Sequence, residues 1–368
     1  MFYTNDKRIV MILDAGRSNF VFTALQGGKP IVEPIKLSSC PKSLDECMNN
    51  LIIGFQQVSN QLTQEPAAIS FAFPGPADYP KGIMGNIPNF PSFQGGMALG
   101  DFLKDNFHIP IFINNDGDMF AYGEALTGVL PEVNERLSKF GNTKTYHNLL
   151  GITIGTGFGA GVVINGELLI GDNGVGGDLW CMRNKKYQDS MVEDSVSIRA
   201  IKRVYAELSG DTLFEYTPKE IYQIACGETP GDTKAAIATF EELGQIAGEA
   251  IASAITVIDG LIVIGGGISG ANEFIIPAII KELSSELTIN GEHHRPRLQM
   301  QVYNLDTPDG FREFATPGPF IDVPIYGTSR SVSYDPQKRI GIISTHQGST
   351  LSRTMGAYAY ALEHTPTM

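Results

Sequence analysis

Three short runs of this chain combine carboxylates, amides and glycines in patterns that suit phosphate and alcohol chemistry. The first is Asp14-Ala15-Gly16-Arg17-Ser18-Asn19, directly after the apolar run Ile9–Leu13. A carboxylate facing the N–H groups of a polar turn suits a magnesium–phosphate complex, because Mg²⁺ takes few protein oxygens. Arg17 adds positive charge for a phosphate. An ordinary hairpin with surface polar residues has the same composition. The second is Asn114-Asn115-Asp116, at the end of another apolar run. A carboxylate there could take a proton from an alcohol as a general base. An Asx-turn or a helix cap uses the same residue types.

The third is the glycine run from Gly151 to Gly171, with Gly155, Thr156 and Gly157 at its first turn. Without a Cβ in the way, such a backbone can come close to a bulky anion. Its N–H groups form an anion-binding concavity. A strand follows these glycines, which separates them from a P-loop or a dinucleotide loop, both of which open a helix. A hairpin with no ligand is the plain alternative. Gly265-Gly266-Gly267-Ile268-Ser269-Gly270 formally fits G-x-G-x-x-G between a strand and a helix. No strand ending in an acid follows about 20 residues on, so an NAD(P) oxidoreductase rests on this motif alone. A turn under an adenine or ribose fits as well. The 6 histidines show no metal-ligand spacing, and no G-x-S-x-G, H-E-x-x-H or Walker A motif is present.

These residues need strands that end at them. Ile9–Leu13 reads as a central strand. Phe20–Leu25 and Pro30–Leu37 complete an opening meander of about three strands. Leu44–Gln61 has helical apolar spacing. Ala67–Phe73 is a strand, 79–98 a long Pro- and Gly-rich loop, Gly100–Asn106 a short helix and Ile109–Asn114 a strand. Asp118–Thr127 is a helix with Asp118 as a plausible cap. The order then recurs in outline: a meander over 149–171, a helical segment Val192–Leu208, helices over 218–259, the strand Leu261–Ile264 and a helix Ala271–Leu287. Two α/β domains facing each other across a cleft follow from that repetition. Ser349–Glu363 is a final helix. Residues 289–348 suggest loops and a few strands and carry no functional reading.

A length of 368 residues agrees with two domains. A hydrophobic fraction of 42% and a charged fraction of 18% fit a folded, soluble protein. A net charge of −13 argues against nucleic acid and anionic membranes as partners, and leaves ATP open. Cys40, Cys47, Cys181 and Cys226 have no paired spacing, so reduced thiols in a cytoplasmic protein are the plain reading. No signal peptide is visible. The best membrane-span candidate, Ala250–Ile268, is interrupted by Asp259-Gly260.

Taken together, these pieces resemble the ROK family of sugar kinases and sugar-responsive repressors, within the actin–hexokinase (ribonuclease H-like) fold. The resemblance covers most of residues 8–287 and the last helix. It is most specific from Gly155 to Asp178. It implies two α/β domains around a cleft, 1–118 with the helix at about 350–368, and 119–349. It implies ATP and Mg²⁺ as cofactors, a small-molecule sugar as substrate and a homodimer. Asp116 would be the base. Asn89, Asn115, Asp178 and Glu193 would contact the sugar. Gly16, Arg17, Ser18, Gly155, Thr156, Gly157, Gly265, Gly266 and Gly267 would hold the nucleotide, and Asp14 the metal, directly or through water. The departures are local. Arg17 stands where the family has a second glycine, and Ser18 where it has threonine. Asp178-Leu179-Trp180-Cys181 stands where the family has Glu-x-Gly-His and a zinc-binding cysteine cluster, so no zinc site is expected and the sugar pocket must differ. A sugar-binding sensor without catalysis is the second reading. A DNA-binding helix-turn-helix before Asp14 has too few residues to form.

Overall fold

Val10–Ala15 (β1) is apolar over its first four residues because both faces are covered, and it is central in its sheet. The computed structural model describes residues 3–16, 18–40, 42–87, 91–211 and 215–366. Its contacts divide the chain into two units: Met1–Gly128 with Gly161–Gly177 and Gln347–Met368, and Val129–Ala160 with Asp178–His346.

In the first unit, β1 pairs antiparallel with Asn19–Gln26 (β2) and parallel with Ala68–Ala72 (β5). The expected third strand is split into Lys29–Pro30 (β3) and Ile35–Ser38 (β4), both pairing with β2. Pro30 and Pro34 have no N–H to donate, which breaks a continuous ladder between them. Leu44–Ser59 (α1) is capped by Ser43, whose side chain accepts from Glu46 N–H. Its inner face meets the sheet through a cluster of aromatic rings. Phe55 lies 5.0 Å from Phe22 and 6.2 Å from Phe71, centroid to centroid. A Cβ on Gly54 would strike the Phe22 ring, so glycine is what lets α1 approach β2. Each fully buried phenylalanine contributes about 1.5–3 kcal/mol.

The expected long loop over 79–98 contains a small antiparallel sheet, Ala77–Asp78 (β6), Ile83–Met84 (β7) and Met97–Ala98 (β8). Leu99–Phe107 (α2) then leads to Ile111–Asn114 (β9), the edge strand beside β5. Asp116–Leu126 (α3) is buried from Gly117 to Leu126. It crosses the C-terminal helix, Ser349–His364, at two glycines. A Cβ on Gly123 would hit the Ser352 carbonyl, and one on Gly356 the Met119 carbonyl. Ser70 Oγ donates to Ala357 C=O at 2.7 Å, tying β5 to that last helix.

In the second unit, after Val129–Lys139 (α4), Leu149–Ile154 (β10) starts a sheet. Phe158–Ile164 (β11) begins in this unit and ends in the first, where it pairs with Glu167–Leu168 (β12). Ile198–Ser209 (α5), Pro218–Ala225 (α6) and Thr233–Ile258 (α7) follow. The expected helix over Val192–Leu208 is interrupted, because Ser197 is extended and caps α5 through Ala200 N–H. Leu261–Gly265 (β13) runs parallel to β10. Asn272–Leu283 (α8) packs on α7 where Gly244 faces Ala278 and Ile275. It ends four residues before Leu287, which belongs instead to Glu286–Ile289 (β14), paired with His293–Pro296 (β15).

The stretch 289–348 completes this sheet. Gln301–Asn304 (β16) is its edge, and Pro308–Ala315 (α9) follows. Ile321–Pro324 (β17) and Ser331–Tyr334 (β18) form a separate hairpin, exposed at every residue. Arg339–Ser344 (β19) returns between β13 and β16, parallel to both. No helix among the described residues is long and apolar enough to cross a membrane.

Candidate active site

Asp116 is the first residue of α3. Its cap is Asn115, not Asp118: Asn115 Oδ1 accepts from Gly117 N–H at 2.7 Å, and Asp118 lies buried inside the helix. The turn thus takes an amide for capping and leaves the next carboxylate at the mouth of the helix. Asn115 Nδ2 donates to Tyr79 Oη at 3.3 Å, and Tyr79 Oη donates to Phe73 C=O at 2.9 Å. That bond uses one of the two Asn115 amide hydrogens.

Burial pushes the Asp116 carboxyl above its ordinary value of 3.8; Arg353 opposes the rise and Asp14 adds to it. Asp14 is the fifth residue of β1, paired with Val21 in the hairpin. Arg353 comes from the C-terminal helix, 339 residues away in sequence, and its Nη2 lies 3.5 Å from Asp14 Oδ1. Two carboxylates and one guanidinium thus share this end of the first unit. The sequence reading did not include Arg353. Its only sequence signal is that it is the one Lys or Arg of that helix.

Gly16 donates to Asp14 C=O at 3.2 Å, and a Cβ on Gly16 would lie 2.8 Å from Asn19 O, so the hairpin needs a glycine there. Ser18 is exposed, and its carbonyl accepts from Ser39 N–H at 3.2 Å. Arg17 and Asn89 lie outside the described residues.

The second unit brings the two glycine turns together at the carboxyl ends of β10 and β13, strands in register from Leu149↔Leu261 to Thr153↔Gly265. In open α/β sheets ligands bind at this end of the strands. Ile268 donates to Ile154 C=O at 3.2 Å. Gly266 has φ +104°, and a Cβ there would strike the Ile154 backbone. Gly267 differs: a Cβ would meet nothing within 4 Å. A Cβ on Gly155 would come 3.5 Å from Gly267 N, so these two backbones lie close together. Thr156 stands exposed at the tip, and Gly155 donates to Gly157 C=O at 2.9 Å. Gly265, the last residue of β13, is buried. The open space above Gly267 is a backbone-lined cradle of the kind that accepts a nucleotide.

Glu193 sits in a 3-10 turn, Val192–Asp194, against this same hairpin. Its Oε2 accepts from Phe158 N–H at 3.1 Å, and Arg199 Nη2 lies 3.4 Å from its Oε1. The turn is fixed by Asn184, which is buried: its Nδ2 donates to Ser195 Oγ at 2.9 Å and to Met191 C=O at 3.2 Å. Its Oδ1 accepts from Lys186 and Tyr187 N–H at 2.9 and 3.0 Å. Asp178 begins a segment of this unit. Burial raises its carboxyl above the ordinary value, opposed by the hydrogen bond from Trp180. Cys181 Sγ donates to the Asp178 carbonyl at 3.0 Å, and all four cysteines are free thiols.

Comparison with known proteins agrees on one family. The model of the ROK family matches residues 10–304. The crystal structure of a glucokinase from Parabacteroides distasonis is 59% identical, covering 99% of this chain and 100% of that one, with a TM-score of 0.88. A glucokinase from Thermotoga maritima is 26% identical over 234 residues, 58% of this chain and 67% of that protein. A ROK hexokinase from Thermus thermophilus, 18% identical over 96% of this chain and 99% of its own, has a TM-score of 0.66 and shows the shared fold. The chain belongs to the ROK family and has the two-domain α/β fold of its hexokinases.

Proposed function

We propose that this protein transfers the γ-phosphoryl group of ATP to a hydroxyl of a sugar, with Asp116 as the general base. The observation that carries the reading is a carboxylate at the mouth of α3 with its proton affinity raised by burial and moderated by Arg353. A base with that tuning accepts a proton from an alcohol better than an ordinary surface aspartate does. The names of the relatives, glucokinases, make glucose the first sugar to test.

The donor set fits the cofactors. Among the described residues no three His, Cys, Asp or Glu side chains gather around a metal position. Mg²⁺ does not require that, since it is commonly held by one or two carboxylates, waters and phosphate oxygens. Asp14, partly exposed and paired only at 3.5 Å, supplies one such oxygen. In this proposal the cradle at Gly155, Thr156, Gly157, Gly265, Gly266 and Gly267 supplies backbone N–H groups for the nucleotide, and Gly16, Arg17 and Ser18 are its further contacts. Bound Mg²⁺-ATP would bring the transferable phosphoryl group and charge to offset the developing negative oxygens.

Asp116 takes the proton as the sugar oxygen bonds to phosphorus and the bond to ADP breaks. The remaining N–H of Asn115 holds the acceptor hydroxyl beside it. Asn89, Asp178 and Glu193 are the further sugar contacts of this proposal. The test is ADP release from Mg²⁺-ATP across glucose, other hexoses, N-acetylhexosamines and sugar acids, with Asp116→Ala as control. Sugar-dependent release that disappears in the variant supports the kinase. No release with any sugar, together with sugar-dependent change in Trp180 emission, would replace it with a sensor.

A further inference from the structure

A cavity of about 550 Å³ opens along β9 within the first unit, and none of the residues placed in the catalytic or nucleotide site lines it. Its walls are the turn Tyr79–Lys81, α2, β9, the segment after β12 and Tyr360 of the C-terminal helix. Ligand pockets measure about 300–1,000 Å³, so the space suits a small molecule. β9 is the edge of its sheet. The carbonyls of Pro110 and Asn114 accept from Ile69 and Phe73 N–H, each at 2.9 Å. With the strand period of two, Ile111 and Ile113 turn their N–H and C=O groups the other way, where no described strand takes them up.

One wall residue lacks a partner. Asn114 is 5% exposed, and its Nδ2 makes no hydrogen bond. Phe112 shares its face of β9 and lies 5.8 Å from the Tyr360 ring, centroid to centroid, which puts the Asn114 amide on the Tyr360 side of the strand. A buried donor without an acceptor is uncommon in folded proteins, and here it stands in the wall of a cavity large enough to admit one. Charged groups line the same space. Lys81 is held by Asp78 at 2.8 Å, while Lys104 is exposed and makes no ion pair among the described residues. Asp101 and Asp118 bring carboxylates, and Phe112, Tyr360 and Ile170 bring apolar surface.

We propose that this cavity is a second ligand site and that it takes a phosphorylated sugar. The lining sets the chemistry. Lys104 supplies positive charge for a phosphate. Asn114 Nδ2 and the outward N–H groups of Ile111 and Ile113 donate to oxygens, and Asp101 and Asp118 accept from hydroxyls. An apolar ligand would leave the Asn114 donor unpaired. A bare anion would face two carboxylates with no hydroxyl to offer them. A phosphate carried on a polyhydroxy ring meets both demands. Sugar phosphates are the product class of the proposed reaction, so the choice of ligand rests on that reading, whereas the cavity and its orphan donor do not. Asn114 directly precedes Asn115 and Asp116, so an occupant grips the end of the strand that carries the proposed base.

The experiment is calorimetric titration of the full chain with glucose 6-phosphate, in the presence of saturating glucose and a non-hydrolysable ATP analogue to occupy the catalytic site. Inorganic phosphate is titrated in parallel. Three variants are compared with the wild type. Lys104→Glu reverses an exposed charge at the cavity, and Asn114→Ala removes the orphan donor. Lys36→Glu makes the same charge change on β4, at the other end of the sheet. The expected result is saturable binding of glucose 6-phosphate that weakens about tenfold or more in the first two variants and stays unchanged in the third. No binding to the wild type, equal binding by all four proteins, or equal affinity for inorganic phosphate would overturn the proposal. The exposed Lys104 variant keeps the test decisive should Asn114→Ala disturb the fold. Binding with this pattern in a chain that shows no sugar-dependent ADP release would remove the kinase reading and leave the site standing.

Discussion

The mouth of α3 and the glycine turns of the second unit differ in what they are made of. At α3 the proposed chemistry lies in side chains, two carboxylates, one amide and one guanidinium, with the Asp116 carboxyl raised by burial. At β10 and β13 the turns are glycines, and the proposed functional surface is backbone. A site of the first kind should fail when a functional group is removed, and one of the second kind when an atom is added.

The largest contrast comes from removing the base. Asp116→Ala should lower kcat by about 10²–10⁴-fold, the usual worth of general acid–base catalysis, with the KM for ATP little changed. A variant that keeps wild-type turnover would show that the side-chain site is not catalytic.

Adding one methyl group comes next. Gly266→Ala forces a φ of +104° on a residue with a Cβ and drives that atom into the Ile154 backbone. It should cost at least about 1–3 kcal/mol, read as a lower denaturation midpoint, with loss of ATP binding. Gly267→Ala meets open space, so the midpoint should stay within about 0.5 kcal/mol of wild type. If a nucleotide uses the cradle, the same variant should still raise the KM for ATP several-fold. An unchanged KM would separate the turn from the nucleotide.

A smaller effect tests the electrostatics. Arg353 lowers the Asp116 pKa that burial has raised. Arg353→Met should therefore move the acid limb of the kcat/KM profile to higher pH, since the base must be ionised to work. A limb that stays in place would mean that Asp116 does not govern it.

The smallest effect is on stability. A carboxyl whose folded pKa lies above the ordinary 3.8 favours folding while protonated, and that contribution is lost as pH rises through the folded value. Asp116→Asn should thus raise the melting temperature at neutral pH, with the gain fading as pH falls through the raised folded value towards 3.8. A gain of about 1 kcal/mol would match the usual exchange of stability for function. Equal gain at all pH would assign it to packing instead.

Much of the frame is legible in local pattern. Ile9–Leu13 and Leu261–Ile264 are apolar because both faces of their strands are covered, and both appear as central strands. The helix after Asn115 was visible, but its cap was not. Asn115 and Asp118 are equally good capping residues by type, and only the backbone turn decides which one reaches an N–H. β19 was hidden because Gly341 interrupts a short run whose pairing partners, β13 and β16, lie tens of residues away. Nothing local marks residues 161–177 as part of the first unit either, since that grouping rests on long-range contacts.

By itself the sequence determined where strands must end, which turns must be glycine and which acids stand at strand ends. These follow from short-range sterics and hydrogen bonding, which neighbouring residues settle among themselves. Only the tertiary structure decided that Arg353 faces Asp14, that Asp116 is desolvated enough to hold its proton more tightly, and that Gly266 is pinned while Gly267 is open. Burial and Coulomb interaction depend on distance in space, and here the deciding partners come from opposite ends of the chain.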